Sequence, residues 1–346
     1  MTMPSRAGLL ERIDLHPAPA DTRRLVREGM ERHPRQLPAW LLYDSEGSRL
    51  FEAICQQPEY GLTRIETALI ETRAAELMAA LGPGVLVEFG AGSARKVAPL
   101  LRAGRPAAYA ALDISAEHLQ SSCDALAREH PQVPVLSICC DYSNLEQLPD
   151  HPWLRGQRRL GFYPGSSIGN FSPLEAQRLL ERFRLLLGED SRLLIGIDQP
   201  KAVERLEAAY NDRAGISAAF ALNLLRRLNR ELQGNFEPGQ FHYEARWQPE
   251  HSRIAMALIS SREQTVTLAG ERWVFRSGEP LITEYSVKYT PDAFVALAQR
   301  AGWRPAGRWS DPAEDLSLHL LQPGPTDPSQ QQRQTSGQRS NSGTEP

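Results

Sequence analysis

Little in this chain of 346 residues points toward a membrane, a polyanion or redox chemistry. Its apolar runs all fall well short of the roughly 20 residues that cross a bilayer, and its start carries no apolar leader core. With 39 basic against 42 acidic side chains it offers no charge excess for nucleic acid. The four cysteines, Cys55, Cys123, Cys139 and Cys140, lack metal-ligand spacing. Cys139 and Cys140 are adjacent in an apolar strand-like run, where thiols serve as small fillers. These absences predict no membrane or nucleic-acid partner, no metal, and a reduced cytoplasm as the compartment. No internal repeat is visible, and the length allows one large core with a smaller module. Residues 323–346 are almost without apolar side chains, so they are expected to remain unordered.

What is present centres on Val85–Lys96, VLVEFGAGSARK. A short apolar run ends in Gly90-Ala91-Gly92 and passes into a helical pattern, as the first strand of a doubly wound α/β sheet does at a nucleotide site. The third glycine of a dinucleotide loop is missing, since Arg95 stands there, and Glu88 precedes the turn. That E-x-G-x-G form suits S-adenosylmethionine better than a pyrophosphate, although a plain tight turn reads the same way. The next strand-like run, Ala108–Asp113, ends in an acid about 20 residues beyond the glycines, where such folds place a ribose-binding carboxylate. Asp113 also suits the N-cap of the helix 116–129, a place that Ser115 is expected to fill. A third strand, Val135–Cys140, delivers Asp141-Tyr142, an acceptor and a ring suited to adenine.

Ahead of this core, residues 1–40 show short helical patterns, and Thr63–Leu81 reads as one amphipathic helix. Tyr43 and Tyr60 bracket an acidic, glycine-containing stretch; they either close over a ligand or pack the N-terminal segment. Beyond the core, Leu160–Asn170 is a strand opening into a loop of glycine and serine. Ser172, Pro173 and Glu175 form a capping-box signature for a helix over 174–187. Asn170 just before it either closes the turn or holds a substrate's carboxylate or amine. A fifth strand follows at 192–198. Ala202–Leu232 reads as helical, and strand-like alternations from Phe241 to Phe275 suggest an inserted module with its own antiparallel sheet. Its last strand, Leu281–Tyr289, puts Ile282, Glu284, Ser286 and Lys288 on one side by period 2, with Leu281, Tyr285, Val287 and Tyr289 opposite. Glu284 and Ser286 would stand ~7 Å apart on one face. Taken alone that face reads as solvated.

In their order, the stretches YDSEGSRLFEAI, PEYGLTRIE, EFGAGSARK, LDIS, GSSIGNFSP, AYNDRAGISAAF, LNRELQGNF, HSRIAMAL and ITEYSVKY resemble one family. It is the S-adenosylmethionine-dependent L-histidine Nα-methyltransferases of ergothioneine biosynthesis, and the similarity runs from about Leu41 to Leu321. The resemblance implies a Rossmann-like class I methyltransferase sheet with an inserted α+β substrate-binding domain. Residues 1–62 would complete the methyltransferase domain, 63–81 form a helix associated with the substrate domain, and 82–200 hold the cofactor. Residues 201–286 would be the inserted domain and 287–322 the return to the methyltransferase domain.

By the same resemblance Tyr43, Gly90, Gly92, Lys96, Asp113, Asp141 and Tyr142 take S-adenosylmethionine. Asn170 and Tyr210 take the amino-acid end of the substrate; Tyr60, Glu284 and Ser286 take the imidazole, with Met256 lining the pocket. Tyr43 and Asn170 are the implied catalytic positions. The implied reaction converts L-histidine, through its mono- and dimethyl forms, to hercynine in a monomeric enzyme. Pro164 before the glycine of the loop, Gly61 after Tyr60 and Ala221 after Phe220 depart from the family's usual residues. Two other readings stay open: an Nα-methyltransferase of another amino acid such as tryptophan, or a non-catalytic protein that binds the cofactor. Glu284 and Met256 speak against the first, and the intact glycine turn against the second.

Overall fold

The computed structural model describes residues 9–15 and 19–325; the rest of the segment expected to be unordered, 326–346, lies outside the described residues. The chain begins with β1 (Leu10–Leu15), α1 (Pro19–Glu31), β2 (Arg35–Gln36), α2 (Ser45–Cys55) and α3 (Leu62–Leu81). The alternating series follows: β3 (Val85–Phe89), α4 (Ala98–Gly104), β4 (Tyr109–Asp113), α5 (Ala116–Glu129), β5 (Val135–Cys140), β6 (Arg159–Tyr163), α6 (Pro173–Leu187) and β7 (Arg192–Asp198). Then come α7 (Val203–Tyr210), α8 (Ile216–Leu232), β8 (Phe241–Gln248), β9 (Arg253–Ser260), β10 (Gln264–Leu268), β11 (Glu271–Phe275) and β12 (Pro280–Val287). The last elements are α9 (Pro291–Arg300), β13 (Trp303–Ser310) and β14 (Leu316–Pro323).

Eight strands form the large sheet in the order β1-β5-β4-β3-β6-β7-β14-β13. Only the β7–β14 and β13–β14 pairings are antiparallel. Strand β3 lies at the reversal of strand order, so the cleft at its carboxyl end is where a doubly wound sheet takes a ligand. Its five residues are all buried, as expected of a parallel strand covered on both faces. Leu86 faces a core built with α3 and α5, whereas Val85, Val87 and Phe89 face α6 and α9. This is a Rossmann-like class I methyltransferase fold.

A second sheet of four strands, β2-β12-β9-β8, carries the module read from the sequence. It is not purely antiparallel, because β2, from the N-terminal segment, joins β12 in parallel. The alternations at 264–275 form a separate two-stranded ribbon, β10-β11. Residues 10–15, read as part of a helical region, are the edge strand β1, parallel to β5. The stretch 202–232 is two helices rather than one. Asp212 accepts the N–H groups of Ile216 (2.8 Å) and Ser217 (2.7 Å) and so starts α8, with Gly215 at φ +70° in the turn. Ser115 does not cap α5 with its side chain; its backbone N–H instead donates to Asp113 Oδ1 at 2.9 Å. Cys139 and Cys140 are buried in β5. Among the described residues no helix is long and apolar enough to cross a membrane.

The capping box on α6 is present in both directions, Ser172 with Glu175, and Pro173 opens the helix. Ser172→Ala should therefore lower unfolding free energy by about 1 kcal/mol. Urea titration with an unchanged m-value is the measurement, and an unaltered midpoint would count against the cap.

Candidate active site

Gly90 (φ +71°) and Gly92 (φ +50°) turn the chain at the end of β3. A Cβ on Gly90 would come 3.4 Å from the Tyr142 hydroxyl, so the turn and that ring share one wall. Asp113 closes β4 and accepts from Gly92 N and Ser115 N, each at 2.9 Å. Burial raises its pKa while these backbone donors work against that rise. At the end of β5, Asp141 accepts from Ser143 and from Asn144 Nδ2 (2.7 Å), folding the loop that presents Tyr142. Tyr142 meets the hydroxyl of buried Tyr163 at 3.2 Å. Gly90, Gly92, Lys96, Asp113, Asp141 and Tyr142 all line one cavity of about 760 Å³ over the switch point. Acceptors for a diol, a bare glycine turn and an aromatic wall in one cleft fit S-adenosylmethionine.

Lys96 carries a partner that the sequence did not suggest. Its ammonium meets Glu66 Oε2 at 2.6 Å, and Glu66, on α3, is completely buried. Both oxygens of that carboxylate also accept from Gly165 N, at 2.9 and 2.8 Å. One buried acid thus ties the cofactor loop to the loop after β6. Glu88 is buried as well and accepts from the Tyr109 hydroxyl at 2.6 Å. Burial pushes its carboxyl up to about 8, with Tyr109 and Lys96 pulling the other way.

A smaller cavity, about 70 Å³, joins the cleft through shared walls: Tyr43, Gly165, Ser167, Asn170 and Glu284 line both. Tyr60, Tyr210, Met256 and Ser286 also line the smaller one. Every substrate residue implied by the resemblance therefore faces a single pocket. Tyr43 follows a 3-10 turn and packs edge-on against Phe51 (5.5 Å) and Phe220 (5.4 Å). Its place is set by Asp44, which starts α2 and accepts from Asn223 (2.7 Å) and Arg230 (2.6 Å) of α8. Tyr60 stands edge-on to Tyr210 with centroids 5.9 Å apart. Burial raises the pKa of both Tyr43 and Tyr60, so both present neutral hydroxyls at neutral pH.

The face of β12 that carries Glu284 is buried, not solvated. Glu284 is 8% exposed and Ser286 5%. Its composition also differs from the period-2 expectation. A bulge at Thr283 breaks the register with β9: Leu281 pairs with Leu258, then Glu284 with Met256 and Ser286 with Ile254. Leu281, Glu284 and Ser286 thus share one face, and Ile282 goes with Tyr285 on the other. Asn170, in a 3-10 turn just before α6, donates from Nδ2 to Glu284 Oε1 at 2.7 Å. Burial pushes the Glu284 carboxyl up to about 8, against the pull of Lys288. Tyr210 and Ser286 meet hydroxyl to hydroxyl at 2.8 Å. Gly169 lets the Asn170 turn press on β12, since a Cβ there would lie 2.5 Å from the Val287 carbonyl oxygen.

The cleft at the switch point, the glycine turn and the acid ending β4 belong to the S-adenosylmethionine-dependent methyltransferases. Comparison with known proteins narrows this class. A family profile, "Histidine-specific methyltransferase, SAM-dependent", matches residues 22–323. The chain is 38% identical over 304 residues to the histidine N-alpha-methyltransferase of Mycolicibacterium smegmatis, covering 86% of this chain and 94% of that one. The Mycobacterium tuberculosis protein of the same name is 35% identical over 304 residues, with the same shares covered. A Neurospora crassa protein named ergothioneine biosynthesis protein 1 is 32% identical over 306 residues, 83% of this chain but 33% of that longer protein. The chain belongs to the SAM-dependent histidine-specific methyltransferase family, and it is an N-methyltransferase that uses S-adenosylmethionine.

Two outcomes follow from this geometry. Gly169→Ala should push Asn170 off Glu284 and lower methyltransferase kcat/KM by roughly 10²-fold, read in a steady-state assay. A carboxyl raised from 4.5 to about 8 binds more protons folded than unfolded between those values. Its stabilising share is complete below the lower value and is lost as pH rises through the higher one. Melting temperature of the ligand-free protein should fall across this window, and less steeply in Glu284→Gln. Equal slopes in differential scanning fluorimetry would contradict the raised value.

Proposed function

We propose that this protein methylates the α-amine of L-histidine three times, through the mono- and dimethyl forms, to give hercynine in ergothioneine biosynthesis. One observation carries the reading. Glu284 and Ser286 share a buried face beside Met256, and Asn170 and Tyr210 reach them from the other walls of the pocket. Glu284 and Ser286 each hold one nitrogen of the imidazole, while Asn170 and Tyr210 hold the carboxylate.

S-adenosylmethionine, when bound, supplies a methyl group on a cationic sulfur. Gly90, Gly92, Asp113, Asp141 and Tyr142 hold it in the large cleft, with Lys96 beside them. The protein's remaining task is orientation, because the methyl is already activated. With both ends of histidine held, the amine alone stays free to turn; after each transfer it must lose a proton to solvent, and S-adenosylhomocysteine must leave for a fresh methyl donor, before its lone pair is presented again. Fixing that amine against a cationic sulfur disfavours its ammonium form, so these contacts also help to supply the neutral nucleophile. Tyr43 lines both cavities and so borders the reacting groups. Tyr43, Tyr60 and Tyr210 present ring surfaces to a head group that becomes a fixed cation. Glu284, as a carboxylate, accepts a ring N–H, which leaves the other ring nitrogen bare for Ser286. The reading takes the enzyme as a monomer in a reduced cytoplasm, a compartment that keeps buried thiols such as Cys123 reduced.

Glu284→Ala should lower histidine kcat/KM by at least ~10²-fold, about 2.7 kcal/mol of transition-state binding. Mass spectrometry of the wild-type product should show three added methyl groups. Calorimetry with S-adenosylhomocysteine should show histidine binding in preference to tryptophan. A tryptophan preference, or an unchanged kcat/KM in the variant, would overturn the assignment.

A further inference from the structure

One buried charge beside the pocket has no part in the scheme above. Lys288 follows β12 directly and its side chain is fully buried. Its Nζ lies 2.6 Å from Asp198 Oδ2, and donates to the Tyr210 hydroxyl at 2.7 Å and to Ser286 Oγ at 2.8 Å. All three ammonium donors are thereby used. Asp198 ends β7 of the large sheet and also meets Lys201 at 2.7 Å. Burial alone would lower the lysine's pKa, but Asp198 and Tyr210 outweigh it and raise it, so the group is a cation throughout the neutral range.

An ammonium accepts no hydrogen bond, so it constrains what its hydroxyl neighbours offer. It occupies a lone pair on Tyr210 and one on Ser286, leaving each oxygen its proton to give. The 2.8 Å contact between the two hydroxyls uses one of those protons. A ligand with two acceptors can replace that contact and receive both. We infer that Lys288 is a positioning residue that fixes Tyr210 and Ser286 as a pair of donors, selecting a ligand with a carboxylate oxygen at one and an unprotonated ring nitrogen at the other. Because its partner Asp198 belongs to β7, the same ammonium ties this donor pair to the sheet that carries the cofactor cleft. The inference rests on the amino-acid pocket proposed above.

The test uses full-length protein with Lys288→Met, and with Asp198→Asn/Lys288→Met, in which no buried aspartate is left short of a cation. Melting temperature checks folding, calorimetry gives the affinity for S-adenosylhomocysteine, and steady-state kinetics gives KM and kcat. Histidine and histamine, which lacks the carboxylate, are the two ligands. The double variant should melt close to the wild type and keep its S-adenosylhomocysteine affinity. Its histidine KM should rise roughly ten- to hundredfold, the range of one charge-assisted hydrogen bond. The wild type's preference for histidine over histamine should shrink in parallel. An unchanged histidine KM would overturn the inference, and so would a loss of S-adenosylhomocysteine affinity matching that for histidine. A wild type that binds no histidine would instead overturn the proposed function, and the role of Lys288 with it.

Discussion

At the rim shared by the cofactor cleft and the amino-acid pocket, a hydrogen bond joins the two halves of the site: Asn170 Nδ2 to Glu284 Oε1, 2.7 Å. Asn170 belongs to the loop at the carboxyl edge of the large sheet, and Glu284 to a strand of the smaller one. A carboxyl buried this deeply loses its solvation and survives only with partners arranged around it. Asn170 is one, and Lys288 acts on it from a distance. The contact is thus both a seam between two sheets and the rim where the large cleft opens into the small pocket. Glycine at position 169 permits that closeness, since only a residue without a side chain fits against the Val287 carbonyl.

Around that seam the polar groups are arranged in three sets. Glu66 gathers Lys96 and the backbone of Gly165, so the cofactor loop and the loop after β6 share one anchor. Asp44 gathers Gly47, Asn223 and Arg230, which sets α2 and Tyr43 against α8. Asp198 gathers Lys201 and Lys288, and through Lys288 the hydroxyls of Tyr210 and Ser286. Each set centres on an acid that is at least half-buried and joins segments far apart in the chain. Removing one member would leave another polar group unsatisfied, which ties pocket shape to fold stability.

Most of the doubly wound sheet was legible in the sequence, because its signals are local. Val135–Cys140 and Arg192–Asp198 are largely apolar runs with turn signals at their ends, and both strands have those limits. The capping box at Ser172 and the glycine turn after β3 are likewise properties of a few adjacent residues. What escaped depends on partners that a strand or helix cannot name. The strand β1 is a short edge with four exposed side chains of six, so it has neither an apolar run nor clean alternation. The bulge at Thr283 exists only in relation to β9, and it changes which residues share a face with Glu284. Glu66 resembles a misplaced charge on an apolar helix face until Gly165, 99 residues away, is brought to it. The cofactor residues show in local pattern, whereas the roles of Glu284 and Ser286 show only in a resemblance of ordered motifs, because period 2 groups Ile282 with them and reads the face as solvated.

In the proposed function, histidine is held at both ends so that its α-amine alone reaches the methyl donor. The most direct measurement is a crystal structure with S-adenosylhomocysteine and histidine bound together. The imidazole should lie between Glu284 and Ser286, the carboxylate at Asn170 and Tyr210, and the amine should be directed toward the cofactor's sulfur. A ring placed elsewhere, or an amine turned away from that sulfur, would contradict it.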